Sequence, residues 1–197
     1  MKSLFIVGAQ RSGSTYLKEI LGSHPQIAMA HSVKAEPKFF LDEELVGKGK
    51  SYYEKLYFHS LQPTTSLIGE KSTSYLESEE VAIRIKSFYP DAYILIILRN
   101  PIFRAYSNYL FSKFNMLESL DFGDALEFEK ERIAKKRFNT SVCPWAYVQR
   151  GHYINYIQHY ANLFNRDNIK IIIFEELINN LSTVRNLYNW LGIETAF

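Results

Sequence analysis

The sequence predicts an α/β protein with a mainly parallel central sheet, and three observations favour this fold class. Short apolar runs rich in β-branched residues, which suit buried parallel strands, occur at 2–8, 92–98 and 169–174. Stretches with helical spacing of apolar residues lie between these runs. The first predicted strand is followed by a glycine-containing loop and then a helix, the order of an anion-binding loop. Together these features predict a P-loop-like three-layer sandwich.

The predicted helices follow the strands in order along the chain. The helix at 14–22 has apolar residues at helical spacing and a stop at Gly22. Asn100 is suited to cap a helix whose first residue is Pro101. The stretch at 77–89 begins with acidic residues, which are favourable in the first turn of a helix. The full set of predicted helices is 14–22, 50–61, 77–89, 101–113, 121–137, 147–164 and 181–191.

Length and composition limit the class of protein. A chain of 197 residues without repeats or obvious linkers predicts a single domain, 1–197, with a sizeable core. A net charge of +2 is too small to imply nucleic-acid binding. The one cysteine, Cys143, excludes an internal disulfide and a cysteine-based zinc site. The longest apolar runs are strand-sized, so we expect no membrane span and a cytoplasmic location.

Residues 7–17, VGAQRSGSTYL, have the glycine spacing of a phosphate-binding loop. Gly8 is separated by four residues from Gly13, which is followed by Ser14 and Thr15. The backbone N–H groups of such a loop converge on an anion at the N-terminus of the next helix, and the two hydroxyls add donors. The alternative is that the glycines serve only the geometry of a turn.

The loop lacks the cation that nucleoside-triphosphate hydrolases place after the second glycine. Ser14 stands at that position, and the nearest cation is Arg11. Such hydrolases also hold magnesium with an aspartate at the end of a second strand, where this chain has Arg99. We therefore predict a ligand bound without magnesium. In LRNPIFRAYSNY, residues 98–109, Arg99 and Ser107 are suited to hold a second phosphate; alternatively, Arg99 pairs with a carboxylate and Ser107 faces solvent.

Five motifs in a shared order resemble the sulfotransferases that use 3′-phosphoadenosine 5′-phosphosulfate, especially heparan-sulfate-type and bacterial carbohydrate sulfotransferases. The similarity spans about residues 4–191. The resemblance implies transfer of a sulfuryl group to a hydroxyl or amine of an acceptor, which we expect to be a carbohydrate, with adenosine 3′,5′-bisphosphate as product. The motifs are VGAQRSGSTYL at 7–17, KAEPKFF at 34–40, GEKSTSYL at 69–76, LRNPIFRAYSNY at 98–109, and GHYINYIQHY at 151–160 followed by IIIFEEL at 171–177.

The resemblance implies a set of donor-binding residues. The loop would bind the 5′-phosphate of the donor, and Arg99 with Ser107 would bind the 3′-phosphate that distinguishes it from ATP. Arg11 occupies the place at which the family usually has lysine; an arginine neutralises charge but is a poor proton donor. No metal ion is expected. The predicted donor-binding residues are Gln10, Arg11, Ser12, Gly13, Ser14, Thr15, Arg99, Ser107 and Tyr153.

The resemblance also implies catalytic residues, which we predict to be Glu36, Arg11 and Lys71. Glu36, in a Glu-Pro-x-Phe-Phe context, would take the proton of the acceptor hydroxyl. An exposed loop carboxylate is the alternative for Glu36, and a surface lysine is the alternative for Lys71. His31 is the competing base, because cytosolic members of the wider family use histidine; a structural histidine is the alternative for that residue.

Two other functions stay open at this point. A nucleotide-dependent kinase would need magnesium and an acidic residue near the loop, for which Glu175 and Glu176 are the strand-end candidates. A non-catalytic nucleotide- or glycan-binding module would bind without turnover. Family members usually continue past a segment like LYNWLGI, residues 187–193, with a loop that covers the 3′-phosphate. We therefore expect the chain to lack the C-terminal portion of the family; the expected partner is a glycan or small-molecule acceptor.

Overall fold

The computed structural model describes residues 1–135 and 142–195, which fold around a five-stranded sheet. The order of the strands is β2-β3-β1-β4-β5, and every neighbouring pair is parallel. Because β1 lies between β3 and β4, the segments that leave these three strands meet at one edge of the sheet. The strands are β1 (Lys2–Gly8), β2 (Ile27–Met29), β3 (Leu67–Lys71), β4 (Tyr93–Leu98) and β5 (Ile169–Ile173).

Helices connect the strands and complete the chain. Short 3₁₀ turns lie at Phe39–Leu41, Tyr75–Glu77, Gln149–Gly151 and Arg166–Asn168. The α-helices are α1 (Ser14–Gly22), α2 (Glu43–Gly47), α3 (Lys50–Tyr57), α4 (Glu79–Phe88), α5 (Pro101–Phe114), α6 (Phe122–Glu127), α7 (Glu129–Lys135), α8 (Tyr153–Ala161), α9 (Phe174–Asn179) and α10 (Leu181–Leu191). Within the described residues, no helix is both long enough and apolar enough to cross a membrane.

The central strands are buried on both faces, which makes the protein the three-layer α/β sandwich that the sequence predicts. Alternate residues of β1 and β4 point to opposite layers, so both faces need apolar side chains. One face packs against α3, α4 and α8, through Phe5, Val7, Ile94 and Ile96 with Tyr53, Ile85 and Tyr160. The other packs against α1, α9 and α10, through Leu4, Ile6, Leu95 and Ile97 with Leu17, Leu177 and Leu187.

Helix α5 carries a smaller core outside the sandwich and presents Ser107 to the functional edge. Its N-terminus is capped as predicted: the Asn100 side chain accepts hydrogen bonds from the N–H groups of Ile102 and Phe103, at 3.0 and 3.4 Å. The buried residues of this core are Ala105, Tyr109, Ala125 and Tyr147. The cap and this core fix the direction in which α5 leaves β4.

The structure adds two strands to the three that the sequence predicts. Strand β2 is only three residues long, and β3 ends in Glu70 and Lys71, which read as polar in the sequence. All five residues of β3 are nevertheless buried. Pairing on both sides, with β1 and β2, satisfies its backbone, and other parts of the chain satisfy its charges.

Some predicted helices are too long. The helix predicted at 50–61 ends at Tyr57, and the one at 77–89 is α4, capped by the side chain of Ser78. The helix predicted at 121–137 is divided into α6 and α7, and residues 136 and 137 lie outside the described part of the chain. The helix predicted at 147–164 is reduced to α8, because residues 149–151 form a tighter 3₁₀ turn.

Candidate active site

A cleft of about 1080 Å³ opens at the carboxyl ends of β1, β3 and β4. Its walls come from the loop after β1, the segment at 34–38, the end of β3 and the start of α5. Most of the predicted site residues line this cleft, whereas Ser12 and Tyr153 do not. Those that line it are Gln10, Arg11, Gly13, Ser14, Thr15, Glu36, Lys71, Arg99 and Ser107.

The loop after β1 depends on a glycine at position 13. Gly13 caps α1 with a φ of 86°, in the left-handed region that side chains other than glycine rarely adopt. A Cβ atom at this position would lie 2.3 Å from the ring of Phe174, which is closer than any real contact. The next residue, Ser14, begins α1, so its N–H belongs to the first turn, whose donors have no partner within the helix. The loop therefore leads directly into the N-terminus of α1, as the sequence predicts, and its binding of an anion stays a prediction.

Two arginines make one side of the cleft positive. A guanidinium N–H of Arg99 donates to the carbonyl of Arg11 at 3.4 Å, and Nε of Arg11 donates to Oγ of Ser107 at 3.4 Å. The Arg11 guanidinium lies 4.6 Å from the Phe111 ring centroid, and that of Arg99 lies 5.1 Å from the Phe174 ring centroid. Partial burial, and then the charge of Arg99, lower the pKa of Arg11.

The charge on this side of the cleft is not neutralised. In residues 1–135 and 142–195, neither Arg11 nor Arg99 forms an ion pair with a carboxylate. Within the described residues, Arg99 therefore does not pair with a carboxylate, which was the alternative to phosphate binding. Two like charges that face one cleft favour an anionic ligand there.

Arg11 lies closer to the predicted 3′-phosphate residues than its predicted catalytic role would suggest. Its side chain contacts Ser107 and Phe111, while Glu36 and Lys71 contact each other. The backbone at Arg11 has a φ of 64°. Its catalytic role stays a prediction, and its contacts fit the donor-binding set.

The opposite side of the cleft holds a carboxylate–lysine pair. Nζ of Lys71 donates to Oε1 of Glu36 at 3.1 Å, and Oγ1 of Thr73 donates to the same oxygen at 2.8 Å. The side chains of Lys71 and Glu36 are only 7% and 14% exposed. Glu36 is therefore not an exposed loop carboxylate, and Lys71 is not a surface lysine.

His31, Ser12 and Tyr153 stand away from the cleft surface. His31 is exposed, and its ring centroid lies 5.7 Å from that of His59. Ser12 is fully buried beneath the loop. The hydroxyl of Tyr153 donates to the carbonyl of Arg99 at 2.7 Å, so this tyrosine supports Arg99 from behind. Burial raises the pKa of Tyr153 and keeps its hydroxyl a neutral donor.

Three residues that line the cleft have no role predicted from the sequence: Thr73, Phe111 and Phe174. Thr73 lies two residues after Lys71, so a continued strand alternation would have placed both on the same side. Phe111 lies four residues after Ser107, on the same helical face. Phe174, at the start of α9, is far from the loop in sequence and reaches it only because the chain folds that way. No local sequence pattern predicts this contact.

A buried ion pair ties the loop to the segment before α8. Arg150 is almost fully buried, and its Nε donates to Oε1 of Glu77 at 2.7 Å. The side-chain amide of Gln10 donates to the same oxygen at 3.0 Å. Gln10 therefore lines the cleft but is held from below by Glu77.

The described residues offer no ready-made metal centre. Within these residues, no group of three or more His, Cys, Asp or Glu side chains is placed to hold a metal ion. Glu175 and Glu176, the acidic residues that a kinase would need, are not among the residues that line the cleft, and Oε1 of Glu175 accepts the N–H of Asn100 at 3.2 Å. The polar groups of the cleft are mainly hydrogen-bond donors, which suit anions.

The fold and cleft define an α/β protein with a glycine-containing loop at a helix N-terminus and two arginines beside it. Comparison with protein families gives the assignment: the family described as "Sulfotransferase domain" matches residues 1–196. The chain therefore belongs to the sulfotransferase family.

Several individual proteins are similar to the chain. A sulfotransferase of solved crystal structure from Alicyclobacillus acidocaldarius is 32% identical, with a TM-score of 0.85, and the match covers 100% of this chain and 83% of that one. The human heparan sulfate glucosamine 3-O-sulfotransferase 3B1 is 29% identical over 96% of this chain and 45% of its own length. The human 3-O-sulfotransferase 6 is 26% identical over 96% of this chain and 52% of its own length. The chain thus spans about half the length of these curated relatives.

Proposed function

We propose that the protein transfers a sulfuryl group from 3′-phosphoadenosine 5′-phosphosulfate to a hydroxyl or amine of a carbohydrate. The observation that carries this proposal is the division of one cleft into two parts. One part is cationic and, among residues 1–135 and 142–195, has no carboxylate partner, and the other contains the Glu36–Lys71 pair. Family membership supports the reaction class, and the names of the curated relatives support a heparan-sulfate-type acceptor.

The cationic part fits a donor with two separate phosphate groups. The loop around Gly13 and the first turn of α1 would hold the 5′-phosphate with backbone N–H groups and the hydroxyls of Ser14 and Thr15. Arg99, Ser107 and, by its contacts, Arg11 would hold the 3′-phosphate. When bound, the donor supplies an activated sulfuryl group with adenosine 3′,5′-bisphosphate as the leaving group.

The other part of the cleft supplies the base. Lys71 and Thr73 both bind Oε1 of Glu36 and fix the direction of its carboxylate. We assign Oε2 as the atom that takes the proton of the acceptor as the acceptor attacks. His31, the competing base, does not line the cleft.

Charge that develops during the transfer has donors close by. The buried ammonium of Lys71 and the N–H groups at the start of α1 are held in place before any ligand arrives. Donors that are already oriented stabilise a developing charge without reorganisation. The acceptor attacks directly, so no side chain of this cleft needs to bond covalently to the sulfuryl group.

The acceptor would enter past the segment at 34–38. Lys34 and Lys38 line the cleft on the side of Glu36, and Leu41 and Asp42 continue that wall. Cations at an entrance raise the local concentration of an anionic substrate. An acidic glycan is therefore our proposed acceptor class.

Calorimetric titration with adenosine 3′,5′-bisphosphate, beside ATP with and without magnesium, tests the proposal. We expect metal-independent binding of the bisphosphate and weaker binding of ATP, because Ser14 replaces the lysine that reaches terminal phosphates. A preference for ATP with magnesium would support the kinase alternative instead. Binding of the bisphosphate without transfer to any glycan would support the non-catalytic module.

A further inference from the structure

A second carboxylate, Glu70, lies buried directly behind the Glu36–Lys71 pair. Glu70 is 1% exposed, and within the described residues no cation pairs with it. Its partners are hydroxyl groups: Oη of Tyr53 donates to Oε2 at 2.6 Å, Oγ of Ser72 donates to Oε1 at 2.7 Å, and the Tyr75 hydroxyl lies near enough to favour the charged carboxylate. Burying a carboxylate is costly, so such a complete shell of donors indicates a purpose beyond filling space.

Two of these hydroxyls reach the backbone of the segment that carries Glu36. The N–H of Lys38 donates to Oγ of Ser72 at 3.0 Å. The N–H of Phe40 donates to Oη of Tyr75 at 3.1 Å. Each hydroxyl therefore accepts a bond from the segment while it bonds to Glu70. Hydrogen bonds connected in this way polarise and orient one another.

Residues 70–73 hold the Glu36 segment in two independent ways. The side chains of Lys71 and Thr73 bind the Glu36 carboxylate. The side chains of the alternate residues, Glu70 and Ser72, belong to the buried network beneath it. The same short stretch of chain thus fixes both the carboxylate and the backbone of the predicted base.

We propose that Glu70 is a positioning residue for the transfer reaction, which anchors the backbone of the Glu36 segment through the hydroxyls of Ser72 and Tyr75. The catalytic consequence rests on the proposed function, whereas the anchoring itself does not. The contact of Tyr53 with Glu70 satisfies the carboxylate but does not extend to the backbone at 38–40. This difference provides a matched control.

Burial raises the pKa of the Glu70 carboxyl, and hydrogen bonds from Tyr53, Tyr75 and Ser72 oppose that shift. The network that anchors the Glu36 segment therefore contains a carboxyl group whose pKa depends on its burial and on the hydroxyl groups around it. The titratable groups that interact with Glu70 are Glu36, Tyr53, Tyr57, Tyr75, Tyr89 and Tyr160.

The first measurement is amide hydrogen exchange at Lys38 and Phe40, followed by NMR. Ser72→Ala should speed exchange at Lys38, and Tyr75→Phe should speed it at Phe40, each by about fivefold or more, the effect of losing one hydrogen bond. Tyr53→Phe should change both rates by less than about twofold. Phenylalanine at 53 keeps the ring packed against Phe39 and Phe40, and thermal unfolding of each variant checks that it is folded.

The second measurement is transfer to heparan sulfate oligosaccharides together with binding of adenosine 3′,5′-bisphosphate. Ser72→Ala and Tyr75→Phe should lower kcat by about tenfold or more, because small misplacements of a reacting group are costly, while bisphosphate affinity stays within about twofold. Tyr53→Phe should keep its kcat. A merely structural network would lower stability and kcat alike in all three variants.

If Ser72→Ala leaves the amide exchange rate at Lys38 unchanged and Tyr75→Phe leaves that at Phe40 unchanged, the proposed anchoring is wrong. A loss of kcat in Tyr53→Phe equal to that in Ser72→Ala would overturn the positioning role. If the wild-type chain neither binds the bisphosphate nor transfers sulfate, the proposed function fails, and the exchange rates still decide whether the anchor exists.

Discussion

The two strands that flank β1 end in opposite ways. Strand β3 ends in charges that are buried and paired: Lys71 with Glu36, and Glu70 with a shell of hydroxyls. Strand β4 is followed directly by Arg99, which faces the cleft beside Arg11, and within the described residues neither arginine forms an ion pair. On the β3 side of the cleft the charged groups thus have partners within the protein, whereas among the described residues the two arginines on the β4 side have no carboxylate partner.

The difference matches the two tasks that we propose for the cleft, donor binding on the cationic side and catalysis on the paired side. The paired side holds Glu36, the base that we propose, in one orientation before any ligand arrives, so that group needs no reorganisation during the proposed reaction. The cationic side gains its counter-charge only when an anion binds, and that gain contributes to affinity.

Replacing the base should abolish the reaction and spare donor binding. We expect Glu36→Gln to lower transfer by about 10²- to 10⁴-fold, the usual contribution of a general base. Binding of adenosine 3′,5′-bisphosphate should be retained, since Glu36 lies on the paired side. Glu43→Gln, which changes an exposed glutamate of α2, serves as the control. Full activity of Glu36→Gln would remove this residue from the mechanism.

Removing a cation should have the reverse effect. We expect Arg99→Ala to weaken bisphosphate binding by about 10- to 100-fold, because hydrogen bonds to charged groups are worth about 1.5–3 kcal/mol. ADP, which lacks the 3′-phosphate, should bind Arg99→Ala and wild type alike. Arg185→Ala, an exposed change on α10, is the control. Arg11→Ala decides the role of Arg11: lost affinity places it with Arg99, and lost kcat alone places it with Lys71.

The shape of the cationic side should depend on Gly13. We expect Gly13→Ala to reduce the free energy of unfolding by about 1–3 kcal/mol or more, since it combines a left-handed backbone with the contact at Phe174. Gly192 is also in the left-handed region, with a φ of 65°, and a Cβ there would meet the end of the flexible Lys2 side chain rather than a ring, so Gly192→Ala isolates the backbone effect. Gly47→Ala, which meets neither obstacle, should be close to neutral. Equal losses at positions 13 and 192 would show that the Phe174 ring moves aside without cost and would contradict the steric part of this prediction.

The buried carboxyl should leave a small pH signature on stability. Burial raises the folded-state pKa of Glu70 above its ordinary value of 4.5, so the folded state holds this proton to higher pH than the unfolded state does. Stability should therefore fall as pH rises from about 4.5 towards the raised pKa. Glu70→Gln should lack this component in a Tm-against-pH series, and Glu127→Gln, an exposed change, should keep it. Identical slopes in all three proteins would contradict the raised pKa.

The fold and the family could be predicted from the sequence because the patterns that indicate them are local. The apolar runs of β1, β4 and β5 and the cap at Asn100 need no tertiary information. Strand β3 was missed because a strand that ends in Glu70 and Lys71 looks exposed until Tyr53 and Glu36 reach it from elsewhere in the chain. Donor-binding residues followed from resemblance, whereas the position of Arg11 beside Phe111 depends on how α5 is placed.

The strand order has a consequence for how the protein acquires its activity. Strand β1 pairs only with strands that begin at residues 67 and 93, so its neighbours come from far along the chain. The residues of the cleft extend from Gln10 to Phe174 in sequence. Contacts of such long sequence separation form late and slowly during folding. Activity should consequently return only with the last refolding phase, which makes it a sensitive reporter of complete folding.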